Sequence, residues 1–349
     1  MLGGSGRLTS QSVVPQLRRL TRGVPLAGPA ARAIAVYAEA ASAHEGLPET
    51  LRPAGERGYE GVACVDDAAR AVVLYCAAWR RRGRSADRTA AQGLLRFLAY
   101  MQEDDGRFVN FILDWQGRRN RTGSTSCPGG PQWQARALHA LACGVATLGG
   151  EWDERFRRGL PWVDEFIPYL DVRAVCVLAA LEHWQATGSA SSAERALAWC
   201  EEIAGQRSGD SLRNAAGVEP IHLWGHLQEA ALAEAGRALD RPDLVERARA
   251  SAESLLLPAV AACLSAECVL PFDLSCVVAG LAAVTRATGD ARYADAAARA
   301  RSWFFGHNAA GQPVYDSGRG LIYDGIDEGR VSRNSGAEAN IEGALALLG

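Results

Sequence analysis

The sequence predicts an all-α fold, an (α/α)6 toroid of six helical hairpins with a short β-hairpin or extended loop on its active face. Three observations predict it. One unit recurs six times: an Ala-rich apolar helix, a tight polar turn, a second helix and a connection back. The two helices differ in kind, the first apolar almost all round and the second amphipathic. Turns within a pair are short, whereas most returns are long and rich in Trp, Asp, Arg, His and Gly. Repeats of this period build solenoids or toroids, and an open solenoid is the structural alternative.

The first helices of the pairs are predicted to begin near Asp66, Gln134, Val172, Gly225, Ser275 and Gly336. Runs such as DDAARAVVLYCAAWRRRG and SCVVAGLAAVTRATGD read as a buried inner layer. The partners, from SADRTAAQGLLRFLAYMQ to ARYADAAARARSWFFG, carry Arg, Glu and Asp on one side and read as an outer layer. At the joints GRS, GGEWD, GSASS, LDRPD and GDAR, Gly stops one helix and Ser or Asp starts the next. The sixth inner helix has no partner after it. The segment GPAARAIAVYAEAASAHEG, residues 28–46, is predicted as an N-terminal helix that takes that place and closes the ring. Residues 1–27, rich in Gly, Ser and Arg, are expected to form a flexible arm, and 28–349 a single barrel domain.

The returns at 47–65, 103–133, 206–224 and 306–335 are long enough to suggest function. All four empty onto the N-terminal ends of inner helices, where unpaired N–H groups and the helix dipole give partial positive charge. The predicted site is the mouth of the ring on this face.

Composition narrows the class. A chain of 349 residues, 48% apolar, supports one large core. No apolar run reaches membrane-spanning length, and the N-terminus lacks a signal-peptide hydrophobic region. The nine cysteines form no CxxC pair, so neither a disulfide framework nor a zinc site is indicated, and a cytoplasmic protein is expected. A net charge of -3 gives no nucleic-acid footprint. The chain has no lysine, which excludes Schiff-base and Walker A chemistry. No cofactor, metal, nucleic acid or membrane partner is expected.

Several residues on the predicted mouth can carry chemistry. Asp66 and Asp67 open the first inner helix; one can cap it, and the other is then free for the pocket or for Arg70. Tyr59 lies just before them. In the return Asp104–Trp115, Asn110, Asp114 and Trp115 could line a sugar site, with an Asx-stabilised loop as the plainer explanation. Arg118, Arg119 and Arg121 follow, as solvated charge or as an anion site. The Pro128–Pro131 turn can deliver Trp133 and Arg136 to the mouth. His222 and His226, four apart, could face one metal, but no third ligand is signalled. Asp273 reads as a cap. Ser335 and Glu338 form an S-x-x-E capping box, yet Glu338 also lies across a closed ring from Asp67. Two carboxylates facing each other across a pocket are the minimum for inverting glycoside hydrolysis.

Five stretches in order resemble a bacterial family of the six-hairpin glycosidase superfamily, often encoded near or fused to glycosyltransferases. They are Asp66-Asp67-x-x-Arg70-Ala71, Asp105-Gly106-Arg107-Phe108-x-Asn110-Phe111, Trp303-Phe304 through Tyr315-Asp316, Tyr323-Asp324-Gly325, and Asn334-x-Gly336-Ala337-Glu338. The resemblance implies an (α/α)6 toroid, a carbohydrate substrate (an oligosaccharide or glycoconjugate) and a glycosyltransferase partner. In that family a Glu-Asp pair precedes the helix matching Ala135-Arg136-Ala137-Leu138. Here Thr125 to Gln134 holds no acid.

The leading expectation is a glycoside hydrolase. Asp67 and Glu338 are its acid and base, Asp66 tunes its neighbour, and Asp114 is a reserve acid. Trp115, Trp133, Trp224 and Tyr315 would stack on sugar rings. Tyr59, Arg70, Asn110, Arg136 and His222 would bind hydroxyls or an anionic group. The missing acid pair motivates the alternative, a non-catalytic glycan-binding or glycosyltransferase-partner protein. Phosphorylase, epimerase and lyase chemistry belong to the same scaffold. Isoprenoid cyclisation is disfavoured because no DDxxD or DxDD motif is present, and lanthionine-type zinc cyclisation lacks its Cys/His set.

Overall fold

The computed structural model describes residues 15–39, 58–165, 167–218 and 220–348. A short helix α1 (Pro15–Leu20) precedes six inner helices: α2 (Val65–Arg82), α4 (Pro131–Leu148), α7 (Leu170–Thr187), α9 (Gln228–Ala238), α12 (Pro271–Thr288) and α14 (Ala337–Leu348). Each packs on the next, and α14 returns to α2, so the ring closes. The outer layer holds α3 (Ser85–Met101), α5 (Asp153–Gly159) with α6 (Pro161–Asp164), and α8 (Ala190–Ala204). It continues with α10 (Pro242–Ser251), α11 (Leu257–Ser265) and α13 (Ala291–Ser302). The fold is the expected (α/α)6 toroid. No helix among the described residues is long and apolar enough to cross a membrane.

The inner helices are apolar all round because protein surrounds them. Ala71, Ala135, Ala174 and Ile341 have no exposed surface. Trp303, Phe304 and Tyr293 are fully buried, and each contributes a large apolar area to the core. The expected Gly stops are present at Gly83 and Gly289, in left-handed conformation at φ 66° and 73°. Without a Cβ this conformation has no steric penalty, and it lets the chain reverse within three residues.

The N-terminal segment departs from the expectation. Residues 28–39 are not helical; 40–46 lie outside the described residues. Strand β2 (Arg32–Ile34) pairs antiparallel with β1 (Thr21–Gly23), and Ala35 bridges Ala63. Arg32 is exposed, whereas Ala33 and Ile34 are both buried. The Ala richness that reads as helix is outweighed by this pairing. The strap runs across the mouth, where the Val36 carbonyl accepts from Ala337 N at the start of α14 (3.3 Å). The place outside α14 belongs instead to α1, whose Leu17 and Leu20 are buried. Residues 15–27 of the expected arm are therefore packed on the barrel rather than loose, and residues 1–14 of it lie outside the described residues.

On the mouth face, β3 (Ala63–Cys64) pairs with β4 (Phe111–Ile112), which supplies the expected extended element. Three further antiparallel pairs make the returns compact: β5 (Arg207–Ser208) with β6 (Ser211–Leu212), β7 (Tyr315–Asp316) with β8 (Leu321–Ile322), and β9 (Ile326–Asp327) with β10 (Arg330–Val331).

Candidate active site

The first N–H groups of α2 are satisfied without help from its acids. Val65 N donates to the Asn110 carbonyl (2.8 Å), Asp66 N to Asn110 Oδ1 (3.1 Å) and Asp67 N to Cys64 Sγ (3.4 Å). Neither aspartate caps the helix, contrary to the expectation for one of them. Both face cations instead.

Arg70, one turn into α2, is the hub. Its Nη2 donates to Asp67 Oδ1 at 2.7 Å and to Glu338 Oε2 at 3.1 Å. Its Nη1 donates to Glu342 Oε1 at 2.9 Å, and its Nε lies 3.5 Å from Asp66. Four carboxylates thus share one guanidinium. Burial works against the charge on Arg70, but these acids outweigh it and hold the group firmly protonated. A second cation, Arg136 from α4, pairs with Asp66. Burial raises Asp66, yet Arg136 and Arg70 overcome that and hold it below the usual carboxylate value.

The remaining acids behave differently. Burial pushes Asp67 up to about 6; Asp66 and Glu338 push the same way, and Arg70 pulls against them. Burial also pushes Asp324 up to about 6, with Glu338 adding to the rise, while Gly336 N donates to it at 2.8 Å. Burial raises Glu342 as well, against the pull of Arg70. Glu338 itself is open, its side chain 49% exposed against 7% for Asp67. Tyr59 sits beside them with its phenol pushed up to about 12 by burial, then by Asp324, Asp67 and Glu338. Its ring faces Tyr37 of the strap at 6.1 Å.

Two sequence expectations about Glu338 change. Ser335 does not form a capping box with it: the hydroxyl donates to the Ile322 carbonyl and accepts from Asn340. Nor do Asp67 and Glu338 face each other across open space. Both reach one nitrogen, so the bonded oxygens are separated by at most the two bond lengths together, about 5.8 Å. A guanidinium lies between them, which leaves no room for the water that an inverting pair holds.

A cavity of about 550 Å³ opens at this face and descends inside the ring. Arg70, Arg136, Asp171, Asn214, His222 and Glu342 contribute polar groups to its upper part. Arg70 and Arg136 lie over the Phe272 ring, at 5.1 and 5.6 Å from its centre. Trp224 is exposed at the rim and stacks on His222, with ring centres 3.9 Å apart and planes 10° from parallel.

Other expected site residues are used to hold the loops. Asn110 Nδ2 donates to the Thr125 carbonyl, so both ends of that amide are engaged. Trp133 is buried, and its indole N–H donates to the Phe108 carbonyl at 2.8 Å. Asp114 accepts from the backbone N–H groups of Gln116, Gly117 and Arg118 and from Arg118 Nε, the Asx-stabilised loop that was its plainer explanation. Trp115 packs against the core. Tyr315 is buried, edge-on to Phe305. Arg119 and Arg121 pair with Glu103. Asp273 accepts from Leu270 N at the start of α12, in keeping with an end-of-helix role.

His222 and His226 do not share a ligand position. His226 is buried between Asn214 and Glu229, at 3.1 Å from each, while His222 lies in the rim loop. Among the described residues no group of three or more His, Cys, Asp or Glu is placed to hold a metal ion.

Four residues of the site were not assigned from sequence. Glu342 follows Glu338 by four, the spacing that puts both on one helix face. Asp324 sits inside a noted motif. Asp171 lies one residue before the expected start of its helix, and Gln132 lines the cavity at the start of α4.

No protein-family model and no curated protein matches the sequence. Solved structures do share the fold. A sugar epimerase from a ruminal bacterium aligns over 97% of this chain and 95% of its own, with a TM-score of 0.71 and 13% identity. The cellobiose 2-epimerase of Spirochaeta thermophila aligns over 97% and 93%, with a TM-score of 0.69 and 13% identity. The glycoside hydrolase family 9 endoglucanase J30 aligns over 97% and 83%, with a TM-score of 0.58 and 12% identity. These similarities establish the architecture, that of the six-hairpin (α/α)6 proteins.

Proposed function

We propose that the chain is a carbohydrate-active enzyme, most simply a glycoside hydrolase acting on an oligosaccharide by carboxylate acid/base catalysis. The observation that supports it is the set of acids around Arg70 at the mouth of the ring. One member, Glu338, is open and ion-paired. Another member, Asp67, and Asp324, which lies outside the Arg70 cluster but feels Glu338, are both pushed up to about 6 by burial and hold a proton part of the time near neutral pH. Asp324 is the more open of the two and is our first choice of acid. It gives its proton to the glycosidic oxygen as the bond to the anomeric carbon breaks. Glu338 meets the positive charge that develops there. Water then takes the anomeric carbon and returns a proton to the acid. Trp224 stacked on His222 offers a flat platform for a sugar ring, and Arg136 binds hydroxyls or an anionic group.

Epimerisation is the second reading. It is favoured by His222 and Arg136, which line the same cavity and both act on Asp171, and by the epimerases among the solved structures of this fold. Nuclear magnetic resonance of an oligosaccharide panel in D2O separates the readings. New reducing ends mean hydrolysis. Deuterium at C2 of the reducing sugar without cleavage means epimerisation. Saturable binding with neither signal means a glycan-binding protein, for which a glycosyltransferase partner would be the next thing to seek. Absence of both turnover and binding overturns the carbohydrate reading.

A further inference from the structure

The cavity has two chemically different halves. The polar half is at the mouth. Below it the wall is apolar on five of the six inner helices: Val73 of α2, Val175 and Leu178 of α7, Ala230 of α9, Ala279 and Ala282 of α12, and Leu345 of α14. Val73, Leu178, Ala279, Ala282 and Leu345 are all partly exposed although they sit midway along inner helices, so the ring interior is open at this level. The α12 lining runs from Phe272 to Arg286, a rise of about 21 Å at the helical pitch. A round cavity of this volume would be only about 10 Å across, so the space is long and narrow.

Two further facts bear on its content. Packed interiors leave few voids larger than a water molecule, and apolar cavities stay dry unless something apolar fills them. His139, on the wall between the halves, is held down to about 4 by burial and so stays neutral. A chain of sugars needs hydroxyl partners along its whole length, whereas between the mouth and the Glu234–Arg286 ion pair and Arg301 at the far end the wall is apolar apart from His139.

We propose that the substrate is amphiphilic: a glycoside whose sugar sits at the Arg70 mouth and whose alkyl or acyl chain descends into the barrel. This rests on the carbohydrate reading and adds the chemical class of the group attached to the sugar. The apolar half is then a specificity-determining subsite, and Ala279 and Ala282 keep it open because any larger side chain there would fill it.

The test uses n-alkyl β-D-glucopyranosides of increasing chain length, below their micelle concentrations, with n-alkanols of the same lengths and free glucose alongside. Calorimetric titration of the full chain should show affinity for the glucosides rising about threefold to fourfold per added CH2 until the barrel is full, with glucose weakest. Ala279→Phe should flatten that series while circular dichroism and melting stay near wild type. If that variant does not fold, the wild-type series alone decides. A flat glucoside series together with persisting oligosaccharide turnover overturns the amphiphile proposal and leaves the hydrolase reading standing. Chain-length dependence for alkanols with none for glucosides also overturns it, since the chain would then not be joined to a sugar.

Discussion

Arg70 and Glu342 are joined at 2.9 Å on the wall of the cavity, one helix against the other across the closure of the ring. The same guanidinium bonds Asp67 and Glu338 with its other terminal nitrogen. The contact that closes the toroid is thus also the contact that sets the charge of the site. Sequence separations of 268 and 272 residues become a single ion cluster only because α14 returns to α2.

Replacing Arg70 should therefore damage stability and activity together. Arg70→Met leaves several carboxylates in a buried site without a counter-charge, a type of change that costs about 3–5 kcal/mol. Arg70→Lys should rescue only part of this, because one ammonium cannot reproduce two terminal nitrogens aimed at different helices. Urea denaturation at pH 7 measures the loss. At pH 4, where Asp67 and Glu342, both raised by burial, are protonated, the deficit of Arg70→Met should shrink. A deficit that does not change between pH 7 and pH 4 would count against the cluster.

Asp324 gives a prediction of opposite sign. Its carboxyl moves from 3.8 to about 6 on folding, so the folded chain binds more protons than the unfolded chain between those values. Stability from this group is present below the unfolded value and falls as pH rises toward 6, then stays lost above it. Asp324→Asn removes the penalty and can still accept from Gly336 N. The variant should melt higher than wild type at pH 7.5, and the difference should vanish below pH 4. Activity should move the other way: with its proton donor gone, kcat falls about 10²–10⁴-fold. A variant that is both more stable and fully active would remove Asp324 from the mechanism.

The ring was legible because helical periodicity, Gly stops and the alternation of apolar and amphipathic helices are all local signals, repeated six times. The strap was not. Residues 28–39 have the composition of a helix, and their strand state depends on partners at Thr21–Gly23 and Ala63, which no local pattern announces. In the site, Asp67, Arg70 and Glu338 could be placed on one mouth from their positions at inner-helix starts. Their common bond to one guanidinium could not, since side-chain direction across the ring is a tertiary fact. Trp133 and Asn110 show the reverse error. Aromatic and amide groups in a long return suggest ligand contact, but the return has its own backbone groups to satisfy, and these two side chains are spent there.

The packing of α1 can be tested by truncating one side chain. Leu17 has no exposed surface, and it joins the residues around α14 to the core. Leu17→Ala should cost about 2–5 kcal/mol, the range for a buried leucine with a cavity left behind. Chemical denaturation measures it directly. A loss near zero would return residues 15–27 to the status of a loose arm.

Thiol reactivity tests the barrel as a whole. Of the nine cysteines, Cys127 and Cys268 are exposed and the other seven are buried. Burial also pushes Cys76 up to about 11 and raises Cys64, Cys143 and Cys276 well above the ordinary thiol value, so little thiolate is present to react at pH 8. A native sample treated with a thiol-disulfide reagent should therefore release about two equivalents quickly and the remainder only in denaturant. Cys276 is the informative exception among the buried set, because it lies on the cavity wall. In a Cys127→Ser, Cys268→Ser background, a slender maleimide should modify Cys276 slowly, and more slowly still with an alkyl glucoside in the barrel. Rapid labelling of four or more thiols in the native chain would mean that the helices do not pack as closely as the closed ring requires.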